Sequence, residues 1–125
     1  MENFKIPAEK HLEGLLEKED FMVFVALSGK QVVGGLTAYT LRPYYTEFPQ
    51  VYIYDLAVKT EFQRQGIGKK LMAGIIDFCK VEGMDEIFVQ ADREDGHAID
   101  FYRSTGGIPE DVIHFSYPLP RLKKV

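Results

Sequence analysis

Residues 63–68 read Gln-Arg-Gln-Gly-Ile-Gly and stand between a strongly apolar segment and an amphipathic one. That is a setting for holding an anion. The first four N–H groups of a helix have no partner inside it, and the helix dipole favours negative charge beside them. Gly66 and Gly68 remove the Cβ atoms that would keep a phosphate off the backbone. Gln63, Arg64 and Lys69 can add side-chain donors. Two other phosphate loops are excluded by spacing. A dinucleotide fingerprint needs a third glycine at 71, where the chain has Leu71, and a P-loop needs Lys then Ser or Thr, where the chain has Lys69-Lys70. A Gly-x-Gly pair alone is weak evidence and is as readily a bare turn; its place at a strand-to-helix junction singles it out.

Asp55 is the second feature. It lies inside Val-Tyr-Ile-Tyr-Asp-Leu-Ala-Val at 51–58. A carboxylate in an apolar strand costs stability unless it has a partner or a function, so a paired structural acid and a general base both stay open. Acids crowd the last third (Asp92, Glu94, Asp95, Asp100, Glu110, Asp111), and Lys59, Arg64, Lys69 and Lys70 crowd 59–70. These are either solvated patches or a molecule that handles an anion at one place and a cation at another. His97 and His114 have no second His or Cys at ligand-like spacing, and the single Cys79 excludes an intrachain disulfide and a multi-cysteine metal site. No metal is expected.

The elements that must position these groups follow from periodicity. His11, Leu12, Leu15 and Leu16 recur at helical spacing within 8–19, with Pro7 suited to the first turn. Residues 21–27 and 31–41 read as a hairpin about Ser28-Gly29-Lys30. Gly34-Gly35 within it points to a bulge or a close backbone approach. Residues 42–50 make a loop whose Tyr44, Tyr45 and Phe48 form either a lid or a packed surface. The β-branched and aromatic run at 51–58 is the strongest strand. A helix from near Gly66 to about Glu82 buries Leu71, Ile75, Phe78 and Cys79, and Gly83 ends it. Strands at 86–91 and 112–117 and a short helix at 97–104 complete the chain. Strands 51–58 and 86–91 flank a crossover helix and should be parallel. The expected fold is α/β, a mixed sheet covered by helices.

A chain of 125 residues is one domain. Its hydrophobic share of 46% and charged share of 27% are ordinary for a soluble protein. No run approaches the ~18 apolar residues of a membrane span. Residues 1–5 lack the order of a signal peptide, so the expectation is a cytoplasmic protein with no membrane partner. A net charge of −4 speaks against nucleic acid.

Three runs, Asp55-Leu56-Ala57-Val58, Arg64-Gln65-Gly66-Ile67-Gly68 and Ala98-Ile99-Asp100-Phe101-Tyr102, resemble in order and spacing the Gcn5-related N-acetyltransferases (GNAT). Ile53-Tyr54-Asp55-Leu56-Ala57-Val58, Phe88-Val89-Gln90-Ala91-Asp92 and Glu110-Asp111-Val112-Ile113-His114-Phe115 are similar to the type I aminoglycoside 3-N-acetyltransferases within it. The likeness covers roughly 10–117. It implies acetyl-coenzyme A as co-substrate, lying where strands 51–58 and 86–91 splay apart. The backbone of Leu56, Ala57 and Val58 would pair with the pantetheine arm. The backbone of Gln63, Arg64, Gln65, Gly66, Ile67, Gly68 and Lys69 would hold the pyrophosphate. Tyr102 would sit by the sulfur. The chain departs from the family at its start, where a strand and a helix normally precede the helix at 8–19 and wall the acceptor pocket. A homodimer partner supplying that wall is the corresponding expectation.

Amine acetylation by a thioester needs a neutral amine, donors for an oxyanion and a hydrogen bond or proton for the departing thiolate. On the family layout Tyr102 is the general acid, Asp55 the general base, directly or through water, and a backbone N–H near Ala57 the oxyanion donor. A core aromatic is the bland reading of Tyr102. Asp92, Glu94 and Asp95 would face the acceptor mouth together with Asp55, where acids suit a polycationic amine; Asp95 serves equally as a helix cap. The expected activity is acetylation of a small-molecule primary amine, an aminoglycoside first. A polyamine, another metabolite, a protein N-terminus or a non-catalytic acyl-coenzyme A module are the alternatives.

Overall fold

Strand-forming residues dominate from 21 to 58, and helix-forming patterns flank them. In the computed structural model, which describes residues 6–122, this yields α1 (Glu9–Leu16), β1 (Phe21–Ser28), β2 (Gln31–Leu41), β3 (Gln50–Val58), a single 3-10 turn (Thr60–Phe62), α2 (Ile67–Glu82), β4 (Glu86–Val89) and α3 (Gly96–Ser104). The leader reading of residues 1–5 lies outside the described residues. The sheet order is β1-β2-β3-β4. The first three strands are antiparallel neighbours, and β3 and β4 are parallel with α2 as the crossover.

The core lies between the sheet and α2. Leu71, Ile75 and Cys79 recur every four residues, and with Met72 they pack on Leu36, Ala38, Val51 and Ile53. Phe78, expected on the same face, sits at its edge and is 38% exposed. Its ring meets Phe24 edge-on at 5.6 Å. Gly83 closes α2 in the left-handed conformation (φ 74°), and Met84 N–H then donates to the Cys79 carbonyl at 3.0 Å.

Two strands each carry one extra residue. Between Ala26↔Gly34 and Leu27↔Val32 the extra residue is Val33. Between Ala38↔Ile53 and Thr37↔Asp55 it is Tyr54. The bulge expected near Gly34-Gly35 is thus present beside them, and so is the close approach: a Cβ on Gly34 would stand 3.2 Å from the Ala57 carbonyl oxygen.

Three expectations are corrected. The helix expected over 8–19 stops at Leu16, with none of its residues buried; Leu12 and Leu16 stay exposed, so little packing supports a further turn. The strand expected over 86–91 ends at Val89, where its pairing with β3 ends. The strand expected over 112–117 does not form: residues 107–122 carry neither helix nor strand. Their sequence has strand character, but a strand needs a hydrogen-bonded neighbour, and this segment has none among the described residues. No helix among the described residues is long and apolar enough to cross a membrane.

Candidate active site

The β3–β4 ladder has its last rung at Ile53↔Val89. Beyond it come the bulged Tyr54 and then residues 55–58 of β3, which pair only with β2. The two parallel strands therefore part, and on the side away from β2 the backbone of Leu56, Ala57 and Val58 presents an edge with no strand beside it among the described residues. Tyr52 Oη donates to Gln90 Oε1 at 3.1 Å at the parting point, and the Tyr52 and Phe88 rings stack at 4.8 Å.

The bulge at Tyr54 determines what Asp55 can do. With strict alternation after Ile53, residue 55 would point into the core. The extra residue reverses the order, so Leu56 packs against the core and Asp55 stays half-buried at its border. The desolvation cost expected for Asp55 is thereby avoided, and no side-chain partner holds the carboxylate among the described residues.

The turn after β3 is built by its own side chains. Gln63 Nε2 donates to the Val58 carbonyl at 3.2 Å and Gln65 Nε2 to the Glu61 carbonyl at 3.4 Å. These two glutamines brace the loop rather than reach outward. Arg64 (φ 64°) and Gly66 (φ 80°) both adopt the left-handed conformation. Gly66 caps α2 with no side-chain acceptor, so the N–H groups of the first turn, at Ile67, Gly68 and Lys69, are left for another partner. A Cβ on Gly66 would meet nothing within 4 Å, whereas one on Gly68 would stand 3.0 Å from the Phe101 ring. The two glycines thus differ in purpose. Gly66 leaves open space before the helix, and Gly68 lets α3 pack onto α2. Ile67 contributes its backbone only, since its side chain packs against the core. Exposed Arg64 and Lys69 flank the opening. An open left-handed glycine, unpartnered amides and two cations fit the pyrophosphate of coenzyme A.

Tyr102 lies on α3, half-buried, its ring edge-on to Phe101 at 5.2 Å. Burial pushes its phenol above the ordinary value of 10.0, and the negative charges of Asp55 and Asp95 push it further. Tyr102, Asp55 and Asp95 are thus brought within electrostatic reach of one another. Asp95 caps α3, its carboxylate accepting from Ala98 N–H at 3.1 Å. Asp92 and Glu94 are exposed on the loop between β4 and α3, and the Asp92 carbonyl accepts from Asp95 N–H at 2.9 Å. Three structural contributors escape a reading of the sequence: the Tyr54 bulge, Gln90 as partner of Tyr52, and Phe101 as the reason for Gly68. Only the last has a sequence signal, a glycine at the second position of an otherwise good helix. Among the described residues no group of three His, Cys, Asp or Glu side chains gathers to hold a metal.

The pattern of the acetyltransferase (GNAT) family matches residues 2–106. Among solved structures the chain is similar to an aminoglycoside acetyltransferase from an uncultured soil metagenomic sample, in complex with trehalose. The identity is 54%, the TM-score 0.91, and the match covers 96% of this chain and 80% of that one. A complex with sisomicin from the same kind of source gives 53% identity, a TM-score of 0.91 and the same coverage. Among curated proteins, N-acetyltransferase 8 of Mus musculus is 27% identical over 115 residues, covering 81% of this chain and 51% of its own length. The chain spans about half the length of the curated relatives it matches.

Proposed function

The chain belongs to the acetyltransferase (GNAT) family, and on that premise we propose that it transfers the acetyl group of acetyl-coenzyme A to a primary amine of an aminoglycoside. The observation that carries the reaction is the meeting of three features at one end of the sheet: a free β3 edge, an open helix start and a phenol kept protonated. Likeness above 50% identity to aminoglycoside acetyltransferases supports the acceptor.

Bound acetyl-coenzyme A supplies an activated thioester. Backbone N–H groups from Gly66 to Lys69 hold its pyrophosphate, and the β3 edge from Leu56 to Val58 aligns the pantetheine arm. The amine attacks in its neutral form, its nitrogen lone pair making the C–N bond, and Asp55 accepts the proton that this nitrogen sheds as the bond forms. A backbone N–H near Ala57 stabilises the oxyanion. As the C–S bond breaks, Tyr102 gives its proton to the sulfur, and solvent returns a proton from Asp55 to Tyr102. The pKa shift suits this role, because the phenol stays protonated at the alkaline pH where more of the amine is neutral. Asp92, Glu94, Asp95 and Asp55 attract the polycation. The same reading includes a homodimer, a cytoplasmic location and, in a susceptible bacterium, resistance to the acetylated drug.

A second reading, another primary amine, draws on curated relatives whose names carry no aminoglycoside. Thiol release from acetyl-coenzyme A, measured across aminoglycosides, polyamines and peptides, separates the two. Turnover of polyamines or peptides with none of any aminoglycoside would remove the proposed acceptor.

A further inference from the structure

The face of the sheet away from α2 carries a row of rings that no step of the proposed reaction uses. Side chains alternate between the two faces along a strand, and residues opposite one another share a face. Ala38, Val51, Ile53 and Ile87 turn toward the core. Their neighbours Tyr39, Tyr52 and Phe88 therefore turn the other way. Tyr39 stands opposite both Phe21 and Tyr52, and Phe88 opposite Tyr52. Phe21 meets Tyr39 at 5.1 Å, Tyr39 meets Tyr54 at 5.9 Å, Tyr54 meets Tyr52 at 5.8 Å, and Tyr52 stacks on Phe88 at 4.8 Å. The row crosses all four strands.

Sheet stability accounts for four of the five rings. Phe21, Tyr39, Tyr52 and Phe88 are half-buried and form direct cross-strand pairs, which steady a sheet. Tyr52 is fixed further by the bond from its hydroxyl to Gln90. Tyr54 is different. It is the extra residue of the bulge, so no residue of β2 stands opposite it, and it is 67% exposed. The rings of Tyr39 and Tyr52 meet it nearly edge-on, at 84° and 77°, and hold it from two sides. The next residue is Asp55, which stands opposite Thr37 and so shares this face. Bulges beside active sites re-aim a side chain, and this one turns a braced, open ring to the side where the proposed base stands.

The chemistry of such a ring selects a cation. The face of an aromatic ring carries the negative part of its quadrupole and attracts an ammonium placed over it. The surroundings agree in sign. Asp55 adjoins Tyr54, and the loop after Gln90 adds Asp92, Glu94 and Asp95. We propose that Tyr54 is an acceptor-binding residue, whose ring face holds an ammonium of a polycationic acceptor other than the nitrogen being acetylated, and so presents the reacting nitrogen to Asp55. This rests on the acetyl-transfer reading and names the residue that selects acceptors with a second charge. The acids attract any polycation from a distance. A ring face acts only within about 6 Å of its centroid, so it orients what the acids have gathered.

The test uses the full chain and two variants, Tyr54→Phe, which keeps the ring face, and Tyr54→Leu, which removes it. The position is exposed, so both should keep the wild-type far-UV circular dichroism. Steady-state kinetics are run with aminoglycosides and with linear polyamines. For the acceptor that the wild type turns over, Tyr54→Leu is expected to raise KM about twofold to thirtyfold, and Tyr54→Phe to leave it near wild type. In both variants kcat at saturating acceptor and the calorimetric Kd for coenzyme A should stay near wild type. An unchanged KM in Tyr54→Leu overturns the assignment and leaves the acetyl-transfer reading standing. Equal rises in KM for the two variants would transfer the effect to the hydroxyl and overturn it, as would a loss confined to kcat, which would make Tyr54 a support for Asp55. A rise seen with polyamines, while the wild type leaves every aminoglycoside unmodified, removes the aminoglycoside and keeps the role of Tyr54. A wild type that turns over neither class overturns both.

Discussion

Two glycines at opposite ends of α2 offer a matched test of the anion turn. Gly66 and Gly83 have similar backbone angles, φ 80° and ψ 10° against φ 74° and ψ 30°. An added Cβ meets nothing within 4 Å at either. Alanine at either position therefore carries the same perturbation, a left-handed L-residue costing roughly 1–2 kcal/mol, with no steric clash to confuse it. Chemical denaturation should give near-equal losses of that size. Ligand affinity should part the two. At Gly66 the backbone strain and the new methyl fall where the amides of the first turn would meet a pyrophosphate. Loss of one charge-assisted hydrogen bond is worth about 1.5–3 kcal/mol, or roughly tenfold to a hundredfold in affinity. Titration calorimetry with coenzyme A should thus show weaker binding by that factor for Gly66→Ala and near wild-type binding for Gly83→Ala. Equal affinity in both variants would refute the assignment of this turn to the pyrophosphate.

Tyr102→Phe removes the proposed proton donor and keeps the ring against Phe101. General-acid catalysis is worth about 10²–10⁴-fold, and a thiolate leaves readily, so kcat should fall by about a hundredfold with coenzyme A affinity unchanged, as steady-state kinetics and calorimetry would report. Asp55→Asn should lower kcat and also move its alkaline limb. The folded phenol lies above 10.0, with burial and then Asp55 as causes, so the acid form persists as pH rises and fails only above that value. Without the Asp55 charge the limb should shift to lower pH, and an unmoved limb would separate Asp55 from Tyr102. The associated stability is present below pH ~10 and is lost as pH rises through the raised pKa. Asp95→Ala removes the cap of α3 and should cost about 1 kcal/mol in thermal or chemical unfolding, with a smaller upward push left on Tyr102.

What the sequence displays follows from what generates each feature. The strands at 21–58 and the helix at 67–82 are legible because their periodicity and their terminating glycines are local. The parallel pairing of β3 and β4 is legible because a crossover helix forces it. The Tyr54 bulge is not, since it arises from β2–β3 register, and without it Asp55 reads as a costly core acid. Gln63 reads as an anion donor by type, but the carbonyl of Val58 lies within its reach and claims it. Gly68 reads like Gly66 in the string and differs only because Phe101, more than 30 positions on, packs against it. Residues 112–117 have strand-like alternation, and alternation does not supply a partner.

The central claim is acetyl transfer to an aminoglycoside nitrogen at the opening beyond Ile53↔Val89. Mass spectrometry and NMR of an aminoglycoside, such as sisomicin, after incubation with the protein and acetyl-coenzyme A test it most directly. The account predicts an N-acetylated product in amounts equal to the free thiol released, reduced about a hundredfold in initial rate by Tyr102→Phe. Unmodified drug across the aminoglycoside panel, or a product formed equally fast by Tyr102→Phe, would contradict it.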